Sequence, residues 1–288
     1  MKPINFCKFH GFGNDYIVIE AGELADVENI GDFTKKICHR HTGVGGDGIA
    51  IIRKSENEAD YECRIINPDG SEAGFSGNGT RCAVAYLYYK NLWNAPTLKL
   101  KTKSSVKNYE FLKREESTFW YIAELGKPKF DLPDSPFLNA VSTDLGEEKP
   151  AFSSILLPEE KIIVNFFFVD VGNPVVCIFV SDFAELDWRR AGQTIESYLE
   201  MFPEKTNVVF VKIIDRSNIE IRIWERGAGE TSSSGTCSIA AAVASAFTNK
   251  TNREVAVHAE GGTTKAVWRE DGEMLITGRA DLAFCGEF

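Results

Sequence analysis

The chain has 288 residues, 43% of them hydrophobic, and a formal net charge of −10. That length holds one large domain or two ordinary ones, and the acidity argues against nucleic acid or an anionic membrane surface, both of which recruit basic patches. No apolar run is long enough to cross a membrane as a helix. The stretch Met1 to Glu20 mixes Lys8, His10 and Asp15 into what a leader would keep apolar. Seven cysteines, an odd number without a CxxC pair, read as reduced thiols of a cytoplasmic protein rather than a disulfide framework. No His, Cys and Asp cluster has metal-ligand spacing, so no metal is expected, and His10, His39, His41 and His258 read as surface or turn residues.

In chain order, Ile4 to Lys8 and Tyr16 to Glu20 are predicted strands around the turn His10 to Asn14. A helix follows over Asp32 to His41, ended before Gly43, and then β-rich runs at Gly48 to Arg53 and Tyr61 to Ile66. Cys82 to Leu92 is a predicted helix, with Ala83, Ala85, Tyr86 and Tyr89 supplying propensity and an apolar stripe. Strands are predicted at Thr97 to Thr102, Val106 to Leu112 and Phe119 to Leu125. Pro128, Pro133, Pro136 and Pro150 mark 126–160 as a linker and the edge of a second domain. Beyond it lie strands at Ile162 to Val169 and Val175 to Val180, a helix over Phe183 to Met201, and strands at Asn207 to Ile214 and Ile219 to Trp224. An alanine-rich helix covers Cys237 to Thr248, and the tail from Glu254 to Phe288 alternates strand and turn.

The chain repeats itself. Gly13-Asn14 recurs as Gly172-Asn173, and Ser76-Gly77-Asn78 recurs as Ser234-Gly235-Thr236, each triplet opening an alanine-rich helix. Asn14 precedes Ser76 by 62 positions and Asn173 precedes Ser234 by 61. A shift of 159 sets Asn67 on Arg226, Gly48 on Asn207 and Gly70 on Gly229. Matching polar and glycine positions at a nearly constant offset imply two similar domains. A helix start exposes unpaired N–H groups and partial positive charge, and glycine lets a ligand approach that backbone. Two such starts suit a carboxylate, and a ligand approached from opposite faces suits inversion of a stereocentre. Lone serines in such places are more often simple N-caps; the repetition in glycine-dense loops favours a site.

Six segments carry a resemblance that covers nearly the whole chain: Lys8 to Asp15, His41 to Gly48, the loop Asn67 to Cys82, Phe202 to Val208, the loop Glu225 to Thr236, and Thr277 to Ala280. In this order they resemble the motifs of the diaminopimelate epimerase family. The resemblance implies an α/β fold of two pseudo-symmetric domains, each a mixed, barrel-like sheet around a central helix, with the active site in the interdomain cleft. The domains would be 1–130, joined by the C-terminal strand at about 275–288, and 131–274. It implies cofactor-independent inversion of an amino-acid α-carbon, LL- to meso-diaminopimelate for lysine and peptidoglycan precursors. One cysteine per domain removes or delivers the proton, in a cytoplasmic homodimer that engages neither nucleic acid nor membrane. By match, Asn14, Asn67, Asn173, Asn207, Glu225 and Arg226 would bind substrate, and the backbone at Gly77, Asn78, Gly235 and Thr236 would cradle the α-carboxylate.

The departure is that both cysteine positions are serine, Ser76 and Ser234. A thiol has a pKa of about 8.5 and is easily lowered at a helix start; an alcohol is a far weaker acid, and general bases work best with a pKa near the working pH. The family histidine after Asn173-Pro174 is Val175, and Gly48 stands where many members carry glutamine. Three readings stay open: a branch that uses serines with help from Glu225, deliberate replacement of the reactive cysteines, or a relative that keeps the fold and binds without proton transfer. Cys237, three positions beyond Ser234, is an alternative thiol, expected to point away from the ligand. Racemisation of another α-amino acid is the rival within the fold. Gly43 to Gly48 matches GxGxxG but follows a helix and precedes a strand, the wrong context for a dinucleotide.

Overall fold

The computed structural model describes residues 2–130, 152–157 and 162–288. Pro133, Pro136 and Pro150 of the predicted linker lie outside them. The chain divides into two compact units, Met1–Glu124 with Thr277–Phe288, and Leu125–Ile276.

In the first unit the strands are β1 (Asn5–Gly11), β2 (Asn14–Glu20), β3 (Ile49–Lys54), β4 (Tyr61–Ile66), the short β5 (Glu72–Ala73), β6 (Thr97–Lys101), β7 (Val106–Glu115) and β8 (Thr118–Gly126). Helix α1 is Ile30–Cys38 and α2 is Gly77–Tyr89. β1 and β2 pair antiparallel, β2 and β3 parallel, β3 and β4 antiparallel, β4 and β6 parallel, and β6–β7–β8 antiparallel. The final strand of the chain, Met274–Glu287, pairs with both β8 and β1 and closes an eight-stranded barrel.

Helix α2 lies against β1, β2, β3, β4 and β6, with every residue from Asn78 to Leu87 buried. A helix so enclosed favours small or apolar residues, which Gly79, Ala83, Val84 and Ala85 supply, while buried Thr80 and Arg81 bond to Ser76 O and Asn78 Oδ1. Strands β2 and β3 are buried on both faces over most of their length and so read as apolar runs. Ile17, Ile19, Ile49 and Ile51 pack outward on Ile37 and Cys38 of α1. The two-residue strand period turns Tyr16, Val18, Ala50 and Ile52 to the opposite face, where α2 lies.

The second unit repeats this plan. Its strands are β9 (Phe152–Leu157), β10 (Ile162–Asp170), β11 (Pro174–Val180), β12 (Asn207–Ile213), β13 (Asn218–Glu225), β14 (Gly229–Thr231), β15 (Glu254–Ala259) and β16 (Gly262–Trp268), with α3 (Trp188–Glu196) and α4 (Gly235–Phe247). The pairings β10–β11 antiparallel, β11–β12 parallel, β12–β13 antiparallel, β13–β15 parallel and β15–β16 antiparallel reproduce those of β1 to β7. Outward residues Val176, Ile178, Val208 and Phe210 pack with Trp188, Ala191 and Ile195 of α3. On the inner side α4, buried from Gly235 to Ser245, touches β10 to β13, β15 and β16. The fold class is mixed α/β, as the resemblance implied.

Four expectations are corrected. Helix α2 starts at Gly77, not Cys82, because Ser76 caps it with Oγ accepting from Gly79 N; two glycines, poor helix formers, sit in its first turn. The helix foreseen over Phe183 to Met201 is a 3-10 turn at Phe183–Glu185 and then α3, split where Asp187 caps a fresh start on Arg190 N. Strand β9 lies in the segment assigned to the linker and pairs with β10 from Phe152↔Phe167 to Leu157↔Ile162. Finally, Cys7 and Cys285 form a disulfide, whereas the cysteine count suggested thiols throughout. They are partners across the antiparallel pair of β1 and the final strand, 278 residues apart in sequence, so only the barrel closure brings them together. The remaining five cysteines are buried and free.

A cross-link spanning that length removes much unfolded-chain entropy, typically worth about 2–4 kcal/mol. Cys7→Ser should therefore lower the melting temperature of the oxidised protein and leave that of the fully reduced protein nearly unchanged; thermal unfolding with and without dithiothreitol reads both.

Candidate active site

The two helix starts are built alike. Ser76 and Ser234 both hold extended backbone (φ −138° and −145°) immediately before α2 and α4. The first intrahelical bonds, Thr80 N to Ser76 O and Ser238 N to Ser234 O, are both 2.9 Å. The N–H groups of Gly77 and Asn78, and of Gly235 and Thr236, precede those bonds, at the positive end of each helix. Ser76 is half-buried and Ser234 buried.

What backs each serine differs. Ser234 Oγ donates to Glu225 Oε1 at 2.6 Å, lies 3.2 Å from Thr236 Oγ1 and accepts from Cys237 N at 3.4 Å. Glu225 ends β13, and the hairpin through Gly229 at the start of β14 returns the chain toward the helix. Ser76 Oγ accepts from Gly79 N at 3.1 Å and lies 2.9 Å from the hydroxyl of Tyr16. Tyr16, on the buried face of β2, was not among the residues picked from the sequence. The signal that could have found it is the strand period: two positions after Asn14, it points to the face on which the capped serine sits. At the repeat-related position the second unit has Val175, fully buried, in place of the family histidine.

Around Ser234 the structure gathers most of the matched residues of its unit. Asn207 is buried; its Nδ2 donates to Pro174 O and its Oδ1 accepts from Arg226 N at 2.9 Å. The Arg226 guanidinium donates to Glu204 O and to Asn173 Oδ1. A residue missed by sequence reasoning supports this loop: Glu196 of α3, almost fully buried, accepts from Trp224 Nε1, Gly227 N and Lys205 Nζ. Burial pushes its carboxyl up, but these hydrogen bonds outweigh burial and hold it below the usual range. Cys237 is not a usable thiolate: complete burial, and then the Glu225 charge, push its thiol well up.

In the first unit Asn14 starts β2 and donates to Asp47 Oδ2 at 2.7 Å, while Asn67 donates to Ser71 Oγ within its own loop. Asn78 Oδ1 accepts from Arg81, a buried guanidinium against which Gly278 packs so closely that a Cβ there would meet Arg81 Cζ at 2.9 Å. This gives the closing motif a packing role. Arg40 bridges Asp15 and Asp47, and Lys8 lies 2.8 Å from Asp15. Desolvation works against the Asp15 charge, yet the bonds from Arg40 and Lys8 prevail and bring its pKa down to about 2; Asp47 is pushed up, by burial first. Among the described residues no group of His, Cys, Asp and Glu could hold a metal ion.

Two outcomes follow from these carboxylates. Asp15 is depressed below its ordinary 3.8, so its stabilisation is full above that value and is lost as pH falls through about 2; Asp47, raised, acts in the opposite sense. The stability difference between wild type and Asp15→Asn, on the order of 1–2 kcal/mol at neutral pH, should shrink between pH 4 and 2 in thermal unfolding series. Glu196→Ala should destabilise by about 1–2 kcal/mol, because the half-buried Trp224 Nε1 and the Gly227 N–H lose a charged acceptor; urea titration measures it.

A family model described as Diaminopimelate epimerase matches residues 6–130 and 167–283. The diaminopimelate epimerase of Pelotomaculum thermopropionicum is 34% identical over 286 residues, covering 99% of both chains. That of Caldanaerobacter subterraneus subsp. tengcongensis is 35% identical over 284 residues, again with 99% of both covered. Among solved structures, a probable proline racemase from Agrobacterium radiobacter K84 aligns with a TM-score of 0.71 at 13% identity, over 99% of this chain and 92% of that one. A Bacillus anthracis phenazine biosynthesis protein of the PhzF family aligns at 0.67 and 17% identity, over 100% and 99%. At such identities the structures speak for the fold alone. The sequence relatives speak for more: this chain is an isomerase of the amino-acid racemase and epimerase class, and it belongs to the diaminopimelate epimerase family.

Proposed function

We propose that the protein interconverts LL- and meso-diaminopimelate without a cofactor, using Ser76 and Ser234 where the family has two thiols. Inversion of a carbon acid requires one group to take the α-proton from one face and another to deliver a proton to the other. Each unit supplies one hydroxyl at a helix start. The observation that carries the reading is the 2.6 Å hydrogen bond from Ser234 Oγ to Glu225 Oε1. An alcohol alone is too weak an acid to be populated as its base near neutral pH, but a carboxylate that accepts its proton as it acts removes that obstacle. The backbone at Gly77, Asn78, Gly235 and Thr236 is assigned to the α-carboxylate, and Asn14, Asn67, Asn173, Asn207 and Arg226 to the rest of the substrate.

In this reading the enzyme is a cytoplasmic homodimer that feeds lysine and peptidoglycan precursor synthesis. A second reading, racemisation of another α-amino acid, is favoured by Val175: an apolar, fully buried side chain stands where the family histidine would be. A panel of amino acids in the same assay separates the two.

In deuterated water, LL- and meso-diaminopimelate should exchange the α-proton and interconvert, followed by NMR. Restoring both thiols with Ser76→Cys and Ser234→Cys should raise the rate by about 10²-fold or more, the usual scale of a well-matched general base. Binding by calorimetry without exchange, in both forms, would replace the enzyme with an amino-acid binder.

A further inference from the structure

The two serines are not interchangeable, and the difference lies in where their protons are held. The Ser234 hydrogen is committed to Glu225 Oε1. An ionised carboxylate only accepts, so in this arrangement Ser234 can take a proton from a ligand and cannot give one. Among the described residues no carboxylate bonds to Ser76: its Oγ meets a backbone donor, Gly79 N at 3.1 Å, and a phenol, Tyr16 at 2.9 Å, where either hydroxyl can donate. With both of those donating, its lone pairs are filled and its own hydrogen is left to give.

The phenol is held there by a slot. A Cβ at Gly48 would lie 2.9 Å from Tyr16 Cε1 and 2.7 Å from Ile66 O, and a Cβ at Gly79 would lie 2.9 Å from the same ring carbon. Two glycines, one at the entry to β3 and one in the first turn of α2, thus make room for a ring whose hydroxyl ends on the helix cap. The sequence departure at Gly48 is thereby explained within this chain: the space a side chain would fill is occupied by Tyr16.

We infer that Tyr16 is a positioning residue and proton reserve for Ser76, and that the pair acts as the acid of the reaction while Ser234 with Glu225 acts as its base. This rests on the reading proposed above. In the step, the α-C–H bond breaks and its electron pair stays on carbon. The proton goes to Ser234 Oγ as the Ser234 hydrogen moves to Glu225, which becomes neutral. The carbanion then takes the Ser76 hydrogen, and Tyr16 replaces it from its phenol and becomes the phenolate. One negative charge has moved from Glu225 to Tyr16, and no oxidant, reductant or other reactant is consumed. A phenol, with an ordinary pKa of about 10, carries that charge far more readily than an alcohol does. The reverse reaction runs the same steps backward.

The test is isotope exchange by Tyr16→Phe, which keeps the ring in its slot, with LL- and meso-diaminopimelate as probes in deuterated water. One isomer turns its α-hydrogen to Ser234 and the other to Ser76. Tyr16→Phe should leave the first exchanging deuterium within about threefold of wild type but with retention of configuration, while the second loses exchange by about tenfold or more. Glu225→Gln should show the opposite preference. A merely structural role for Tyr16 would slow both isomers alike, and that result, or equal exchange and inversion in both, overturns the inference. If Tyr16→Phe does not fold by circular dichroism, Glu225→Gln decides alone: equal loss for both isomers overturns the division of labour. A wild-type enzyme that exchanges neither isomer sinks the parent reading instead.

Discussion

Enclosure of a whole helix by strands is the constraint from which the rest follows. Helices α2 and α4 are buried along nearly their full length, so most of their residues are small or apolar, the buried polar ones such as Arg81 and Thr80 need internal partners, and their path is set by the strands around them. What remains adjustable is the point where each helix begins. A cap is needed there because four N–H groups have no partner in the helix, and serine provides it in both units. Ser76 Oγ and Ser234 Oγ are held at the positive end of a helix by the bonds that cap it.

Identical scaffolding does not make identical chemistry. In the second unit the partner of the cap serine comes from the last residue of a strand, Glu225; in the first it comes from the second strand, Tyr16. The repeat-related position of Tyr16 is Val175, and that of Glu225 is Ile66, so each unit has a polar partner where the other is apolar. The two units share one frame and differ at positions around the caps.

Much of this was legible in the sequence because it is written locally. The glycine-dense loops at Asn67 to Cys82 and Glu225 to Thr236 announced the caps, and the offset of 159 announced the repeated topology that the strand pairings display. The helix starts were placed late because Gly77 and Gly79 argue against helix by propensity, and only the packed ring of Tyr16 and the side chain of Ile65 beside Gly79 explain their use. Glu196, Arg81 and the Cys7–Cys285 bond were out of reach for a different reason. Each acts through a contact made by tertiary packing: Glu196 across to Trp224, Arg81 into Gly278, and Cys7 to a partner near the far end of the chain.

Replacing a thiol by an alcohol does more than weaken an acid; it changes what must surround it. A thiolate near a helix start can carry its charge alone, so the protein need only provide the helix. An alkoxide cannot, and the charge must be passed on within the same step to a group that holds it comfortably. Glu225 and Tyr16 stand at hydrogen-bond distance from the two hydroxyls, each an acid stronger than an alcohol. Tyr16 also occupies the room that a side chain at position 48 would need, so the glycine there and the phenol on the cap are one packing arrangement. On the proposed reading, each cap hydroxyl would conduct a proton that a stronger neighbouring acid stores.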